Sequence, residues 1–392
     1  MESIKEKVLI LDAQAVQTLI IAESLVKAGY IVDLFCDSKI SYGYNTKYRN
    51  KRLVVPSVVK NELNYLQTLK EHIKKEKIDV ILPMTDETAI FVSKNKNELS
   101  LLCKFIMPGW DVFQKAYDKN SLMNLCFEKG YPHPLSIDLS KTDYQTIDST
   151  IMNYPALIKP NYTTGGRGMT LVNNLEELIY NYPKVYKEYG NCHLQEFINA
   201  GGRQLKVQVF IDPKSQKIYS SVIHKQRYYP ENGGSSCCNE TIFDNNVVDI
   251  CVSVLKDVKW EGFADFDLIE DPKDGVLKIM EINPRIPASI KSAIKSGIDY
   301  GNLIVDASLG KEVKEYFYTP GKKLRHIGLD FLWFLYSKNR FKTKPSWFNF
   351  FSKSLSFQDF SFKDPMPFFY GTYGNFKKQI NPSFRKKKSG LR

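Results

Sequence analysis

Phe263-Ala264-Asp265-Phe266-Asp267-Leu268-Ile269 alternates as a strand, Glu270-Asp271-Pro272-Lys273-Asp274-Gly275 reads as a turn, and Val276 to Ile282 returns as a second strand ending in Asn283-Pro284-Arg285. A hairpin folded about residue 274 sets Asp267 opposite Glu281 and Asp265 opposite Asn283. All four then share one face, because alternate residues of a strand point the same way. Carboxylates facing each other across a ladder repel, and a cation relieves that repulsion. Two carboxylates and one amide are hard oxygen donors of the kind that hold Mg²⁺ beside phosphate oxygens. The alternative, a solvated acidic hairpin, has no need of the interleaved Leu268, Ile269, Ile279 and Met280.

Upstream, Ala156-Leu157-Ile158-Lys159-Pro160 is an apolar strand that delivers a lysine. Thr163-Thr164-Gly165-Gly166-Arg167-Gly168-Met169 follows as a glycine-rich turn. Glycines let backbone N–H groups crowd around phosphate oxygens, and the lysine adds a point charge. No Gly-Lys-Ser/Thr opens a helix here, so the spacing is not that of a Walker loop, and a structural hairpin turn is the competing reading. Leu194-Gln195-Glu196-Phe197-Ile198 then leads through Gly201-Gly202 into Leu205 to Ile211. A polar side chain beside free backbone at a strand end can read an adenine edge, although many amphipathic strand starts share this pattern.

Farther out, strands at Val8 to Leu11, Ile31 to Phe35, Ile78 to Leu82 and Phe105 to Met107 alternate with helices near Val16 to Ala28 and Glu87 to Asn97. That alternation predicts a parallel α/β unit over roughly the first 110 residues. It is not a dinucleotide fold, because Asp12-Ala13-Gln14-Ala15-Val16 offers no glycine for a pyrophosphate. Asp118 to Lys129 reads as a helix closed by Gly130 and followed by Pro132 and Pro134.

The chain of 392 residues, 43% hydrophobic and 25% charged, suits two or three packed globular units. Seven cysteines lie scattered without CxxC pairs, which argues against zinc and fits a reducing compartment. The N-terminus lacks a secretory pattern, so a cytoplasmic location is expected. The formal charge of +12 is uneven: sixteen Lys or Arg stand against three acids from Pro320 onward. There Phe331, Trp333, Phe334, Trp347, Phe348, Phe350 and Phe351 accompany the basic residues, ending in Phe384-Arg385-Lys386-Lys387-Lys388. Either the aromatics pack on the body with a basic tail beyond, or the region rests on an anionic membrane surface or acidic polymer. No recognisable nucleic-acid module accompanies the charge.

In this order the motifs resemble the ATP-grasp superfamily, close in pattern to biotin carboxylase and carbamoyl-phosphate synthase domains. The likeness covers residues 1–310, with the motifs in 118–310. It implies an α/β and α+β protein in three parts. These are an N-terminal parallel α/β (pre-ATP-grasp) domain at 1–113, an ATP-grasp domain at 114–310 and a basic, aromatic C-terminal extension at 311–392. The middle part comprises a lid subdomain near 150–200 and an antiparallel-sheet subdomain. The resemblance further implies that Lys119 and Lys159 meet ATP phosphates, that Gly165, Gly166 and Gly168 form the lid loop, and that Gln195, Glu196, Phe197 and Ile198 hold adenine. Asp267, Glu281 and Asn283 are the implied ligands of Mg²⁺, with two ions expected and Mn²⁺ able to substitute. Arg285 faces the reacting carboxylate or acyl phosphate, and Lys159 joins it in catalysis. Gln204 stands where many members place an acid on the ribose. The Tyr228 to Ser236 loop departs from biotin carboxylase. Arg227 before it meets either a substrate carboxylate or a surface acid. The implied activity is a carboxylate–amine ligase, acting through an acyl phosphate on a small-molecule or surface-polymer carboxylate and an amine, in a homodimer located in the cytoplasm or at the inner membrane face. A catalytically silent nucleotide-binding module and a phosphotransferase are the alternatives.

Overall fold

The computed structural model describes residues 5–163, 166–231 and 234–380 and contains three sheets among them. The N-terminal unit alternates β1 (Lys7–Ile10), α1 (Thr18–Lys27), β2 (Ile31–Cys36), β3 (Arg52–Val54), α2 (Glu62–Glu76), β4 (Val80–Leu82), α3 (Asp86–Lys94) and α4 (Lys96–Leu99). Its strands run parallel in the order β3-β2-β1-β4. Val8, Leu9 and Ile10 are fully buried, as a parallel strand covered on both faces requires. The strand expected at 105–107 does not form. Lys104 alone bridges to Val80, and Pro108-Gly109 turns the chain into α5 (Trp110–Tyr117). Next comes α6 (Lys119–Lys129), whose N-cap Asp118 accepts the Ser121 N–H at 2.7 Å and whose C-cap Gly130 adopts φ 72°.

A small antiparallel sheet follows, built from β5 (Ser136–Asp138), β6 (Ala156–Pro160), β7 (Thr170–Val172) and, after α7 (Leu175–Tyr189), β8 (Cys192–Glu196). Its order is β5-β8-β6-β7, and it keeps its own core, including Ile158, Val172, Leu178 and Leu194. Gly166 and Gly168 both take φ 72° in the β6–β7 turn. At Gly168 a Cβ would come within 2.8 Å of the Tyr189 ring and 2.9 Å of Pro160, so the turn folds only with glycine there. Gly165 lies outside the described residues.

The largest sheet takes β9 (Gln204–Ile211), β10 (Ile218–Tyr229), β11 (Ser235–Ile242), β12 (Gly262–Glu270) and β13 (Leu277–Asn283), with α8 (Asn245–Asp257) between β11 and β12. The chain continues with α9 (Ile290–Lys295), α10 (Tyr300–Leu309), β14 (Lys323–Arg325), α11 (Ile327–Tyr336), β15 (Leu355–Phe357) and α12 (Met366–Ile380). Its order is β13-β12-β9-β10-β11-β14-β15. The basic, aromatic region therefore contributes β14, antiparallel to β11, and β15, parallel to β14.

Arg227 takes neither role left open for it by the sequence. On β10 it is buried and donates to Asp330 of α11 at 2.9 and 3.2 Å and to the Pro345 carbonyl at 2.8 Å. Arg325 shares the same carboxylate through Nε at 2.6 Å and donates to the Trp347 carbonyl at 2.9 Å. The adjacent Cys237 and Cys238 sit buried and unpaired in a strand, as do the other five cysteines in burial and oxidation state. Among the described residues no helix is long and apolar enough to cross a membrane. The basic run at 384–388 lies outside them.

Candidate active site

The hairpin holds the register expected of it. Asp265 pairs with Asn283 and Asp267 with Glu281, and an irregularity follows Asp267. The turn closes through Gly275 N–H to the Asp271 carbonyl at 2.8 Å, with Gly275 at φ 72°. On the other side of β12, Lys206 of β9 stands directly opposite Asp267, and Gln208 opposite Asp265. One row thus reads Lys206, Asp267, Glu281 across three strands. Lys206 Nζ lies 2.7 Å from Asp265 Oδ2 and 2.8 Å from Asp267 Oδ2, while Lys225 Nζ of β10 lies 2.6 Å from Asp267 Oδ1. Burial works to raise the Asp267 pKa, but the two ammoniums more than offset it and hold the carboxyl well below its ordinary range. Fully buried Asp265 is instead pushed up by burial, with Lys206 only partly compensating.

The small sheet and α6 bring cations to this face. Lys119, the first residue of α6, donates to the Thr163 carbonyl at 2.6 Å and stands 3.6 Å from Glu281 Oε2. Lys159 on β6 is buried and donates to Gln195 Oε1 of β8 at 2.9 Å. Burial lowers its pKa to about 8, against the pull of Glu281. Gln195 in turn donates to Ser136 Oγ at 3.2 Å. Glu196 accepts Lys278 Nζ of β13 at 2.7 Å, tying the end of β8 to the hairpin. Phe197 N–H reaches the Pro155 carbonyl at 3.3 Å, and Phe197 and Ile198 are half-buried beyond β8. Gln204 opens β9, paired with Lys225 and Ile269.

The N-terminal unit closes the remaining side. Thr85 caps α3, which places Asp86 in its first turn, and Asp86 Oδ1 lies 3.2 Å from Arg285 Nε. Burial opposes charge on Arg285, and the Asp86, Asp265 and Asp267 carboxylates outweigh it and keep the guanidinium protonated. Thr85 and Thr88 donate to Asp12, whose carboxyl burial raises to about 6 despite those bonds. Five cations (Lys119, Lys159, Lys206, Lys225 and Arg285) thus face four carboxylates (Asp86, Asp265, Asp267 and Glu281). Lys206, Lys225 and Asp86 were not found from sequence. The period-2 pattern of β9 puts Lys206 on the same face as Gln204 and Gln208, but nothing local says which strand it faces.

Glu281 presents a carboxylate whose side chain is 32% exposed, toward Lys119. Asn283 donates its amide N–H to Asp267 Oδ2 at 3.1 Å, which leaves its carbonyl oxygen to bind. These two oxygens fit Mg²⁺, which usually takes only one or two protein oxygens and fills the rest of its shell with phosphates and water. Asp267 has both oxygens engaged by N–H donors. Among the described residues no three His, Cys, Asp or Glu side chains gather as a metal site on their own.

Residues 118–310, just under half of the chain, match the family described as "Carbamoyl-phosphate synthase L chain, ATP binding domain". Among its relatives is the carbamoyl phosphate synthase large chain of Clostridium beijerinckii, 24% identical over 253 residues, covering 63% of this chain and 23% of that protein. The Clostridium acetobutylicum enzyme is also 24% identical, over 68% of this chain and 27% of its own length. The chain thus spans about a quarter of these relatives. The biotin carboxylase domain of Hydrogenobacter thermophilus 2-oxoglutarate carboxylase, solved as a dimer with MgADP and bicarbonate, superposes with TM-score 0.65 at 17% identity, over 79% of this chain and 71% of that one. An L-amino acid ligase from Bacillus licheniformis gives 0.60 at 16% identity, over 80% and 75%.

Proposed function

We propose that the chain is an ATP-dependent carboxylate–amine ligase. The observation that carries this reading is the convergence of Lys119 and Lys159, from two separate elements, on the Glu281 carboxylate, with Arg285 held by Asp86 and facing Asp265 and Asp267. A substrate carboxylate oxygen attacks the γ-phosphorus of ATP, the bond from that phosphorus to the β,γ-bridging oxygen breaks, and ADP leaves. Such a transfer needs positioning and charge neutralisation more than a protein nucleophile. Lys119 and Lys159 hold the phosphates, the turn carrying Gly166 and Gly168 lies over them, and Gln195, Glu196, Phe197, Ile198 and Gln204 receive the nucleoside. Arg285 grips the acyl phosphate through paired N–H bonds. The amine lone pair then attacks the acyl carbon, the carbon–oxygen bond to phosphate breaks, and the amine proton passes to solvent. Mg²⁺, or Mn²⁺ in its place, held by Glu281 and Asn283 supplies charge neutralisation at the transferring phosphoryl group. A dimer, as described for the Hydrogenobacter domain, is the proposed working state, and 1–113, 114–310 and 311–392 are the proposed parts.

The test is a screen of carboxylate and amine pairs read by ADP release and product mass. A ligase gives an amide with stoichiometric ADP and phosphate. Phosphorylated carboxylate accumulating unchanged in the presence of every amine identifies a phosphotransferase, and no turnover with any pair leaves the silent module. Lys159 gives a second check. At pH 8 about half of it is unprotonated in the free protein, and bound phosphates favour the charged form. Nucleotide binding at that pH should therefore take up roughly half a proton per chain and weaken as pH rises further. Calorimetry in buffers of different ionisation heat reads the uptake, and Lys159→Arg, charged throughout, should abolish it.

We further propose contact with an anionic inner membrane surface through α12. Gly371 and Gly374 bring one face of the helix onto Tyr42 and Ile40. The opposite face leaves Met366, Phe369, Tyr370, Tyr373 and Phe376 between 39% and 62% exposed, with Lys363 and Lys377 alongside. Aromatics flanked by lysines match the interface of an anionic bilayer. Vesicles rich in phosphatidylglycerol should sediment the protein at low salt. Equal binding of Phe369→Ser/Phe376→Ser would remove α12 from the contact.

A further inference from the structure

We infer that Lys206 and Lys225 stand in for a second divalent ion, so that the nucleotide site takes one metal ion rather than two. The inference rests on the nucleotide-binding reading above and departs from the two ions the resemblance implies. Asp267 is the third of the ligands the resemblance implies, and it already accepts three N–H donors: Lys225 on Oδ1, and Lys206 and Asn283 on Oδ2. An ion reaching it would lie within contact range of two ammoniums and be repelled by both.

Neither lysine is an idle surface residue. Lys206 bridges Asp265 and Asp267, and Asp265 is fully buried, so moving Lys206 away would strand a carboxylate in the sheet. Gln208 gives Asp265 one further bond at 3.1 Å, which does not replace a charge. Backbone register fixes the pair. Lys206 lies opposite Asp267 on β9, and Lys225 reaches the same carboxylate from β10, where it pairs with Gln204. Their side chains are 16% and 15% exposed, so both ammoniums stay at the cleft face. Covalently attached cations therefore occupy the Asp267 side, while Glu281 and the Asn283 carbonyl remain for a single ion.

Counting bound Mn²⁺ by electron paramagnetic resonance, with saturating β,γ-imido ATP, tests this without turnover. The protein should bind one nucleotide-dependent ion per chain. Lys225→Met, which frees one oxygen of Asp267, should bind two, and Lys225→Arg should return to one. Two ions in the unaltered protein, or one ion in Lys225→Met, overturns the inference. Failure to bind the nucleotide analogue at all sinks the underlying ATP-site reading, a result distinguishable from either.

Discussion

Glu281→Gln is expected to lower turnover by about 10²–10³-fold, or ~2.7–4 kcal/mol of transition-state stabilisation, the range seen when one preorganised electrostatic contact is deleted. The substitution keeps shape and hydrogen-bonding capacity and removes only the charge. That charge faces Lys119 at 3.6 Å and acts on buried Lys159, so its loss unbalances the cations that hold the phosphates and weakens the metal position. Glu281 is partly exposed and its ion pair with Lys119 is long, at 3.6 Å, so thermal stability should hardly change. Nucleotide affinity should fall by less than turnover, because Lys119 and Lys159 remain. Initial rates at saturating ATP, beside a thermal melt, separate the two effects. Full activity in this variant would end the metal assignment.

The hairpin could be read because its contacts are local. A turn with Pro272 and Gly275 and strict alternation define which residues face which, and the observed pairs Asp265–Asn283 and Asp267–Glu281 follow from that alone. The lysine partners could not be read the same way. Lys206 meets Asp267 across 61 residues and Lys225 meets it across 42, through strand pairings that no turn specifies. The repulsion between facing carboxylates was thus visible, while half of what relieves it, two ammoniums, was hidden in β9 and β10. The N-terminal parallel sheet was legible from its alternation of apolar strands and periodic helices. In the C-terminal region, where packing on the body was one of the two readings, composition hid the residue that anchors it. Against sixteen basic residues a single Asp330 reads as incidental, yet it lies buried between Arg227 and Arg325.

Asp330→Ala is accordingly expected to be among the most destabilising single changes in the protein, at about 3–5 kcal/mol, because it leaves buried charges without a partner. Arg227 and Arg325 would keep only the carbonyls of Pro345 and Trp347 and the faces of Trp333, Trp347 and Phe350, which accept hydrogen bonds or attract cations but carry no net charge. The loss should spread beyond α11. Trp347 donates to the Asp330 carbonyl at 3.1 Å, and β14, which carries Arg325, joins β15 to the sheet. A melt followed by tryptophan fluorescence should show the transition several degrees lower, with early exposure of Trp333 and Trp347. Desolvation supplies the contrast: replacing all three members by apolar residues of similar volume (Arg227→Met, Arg325→Met, Asp330→Leu) removes the charges together and should recover much of the lost stability. If the triple variant melts no higher than Asp330→Ala, packing around the aromatics, and not the buried charge, holds this region to the sheet.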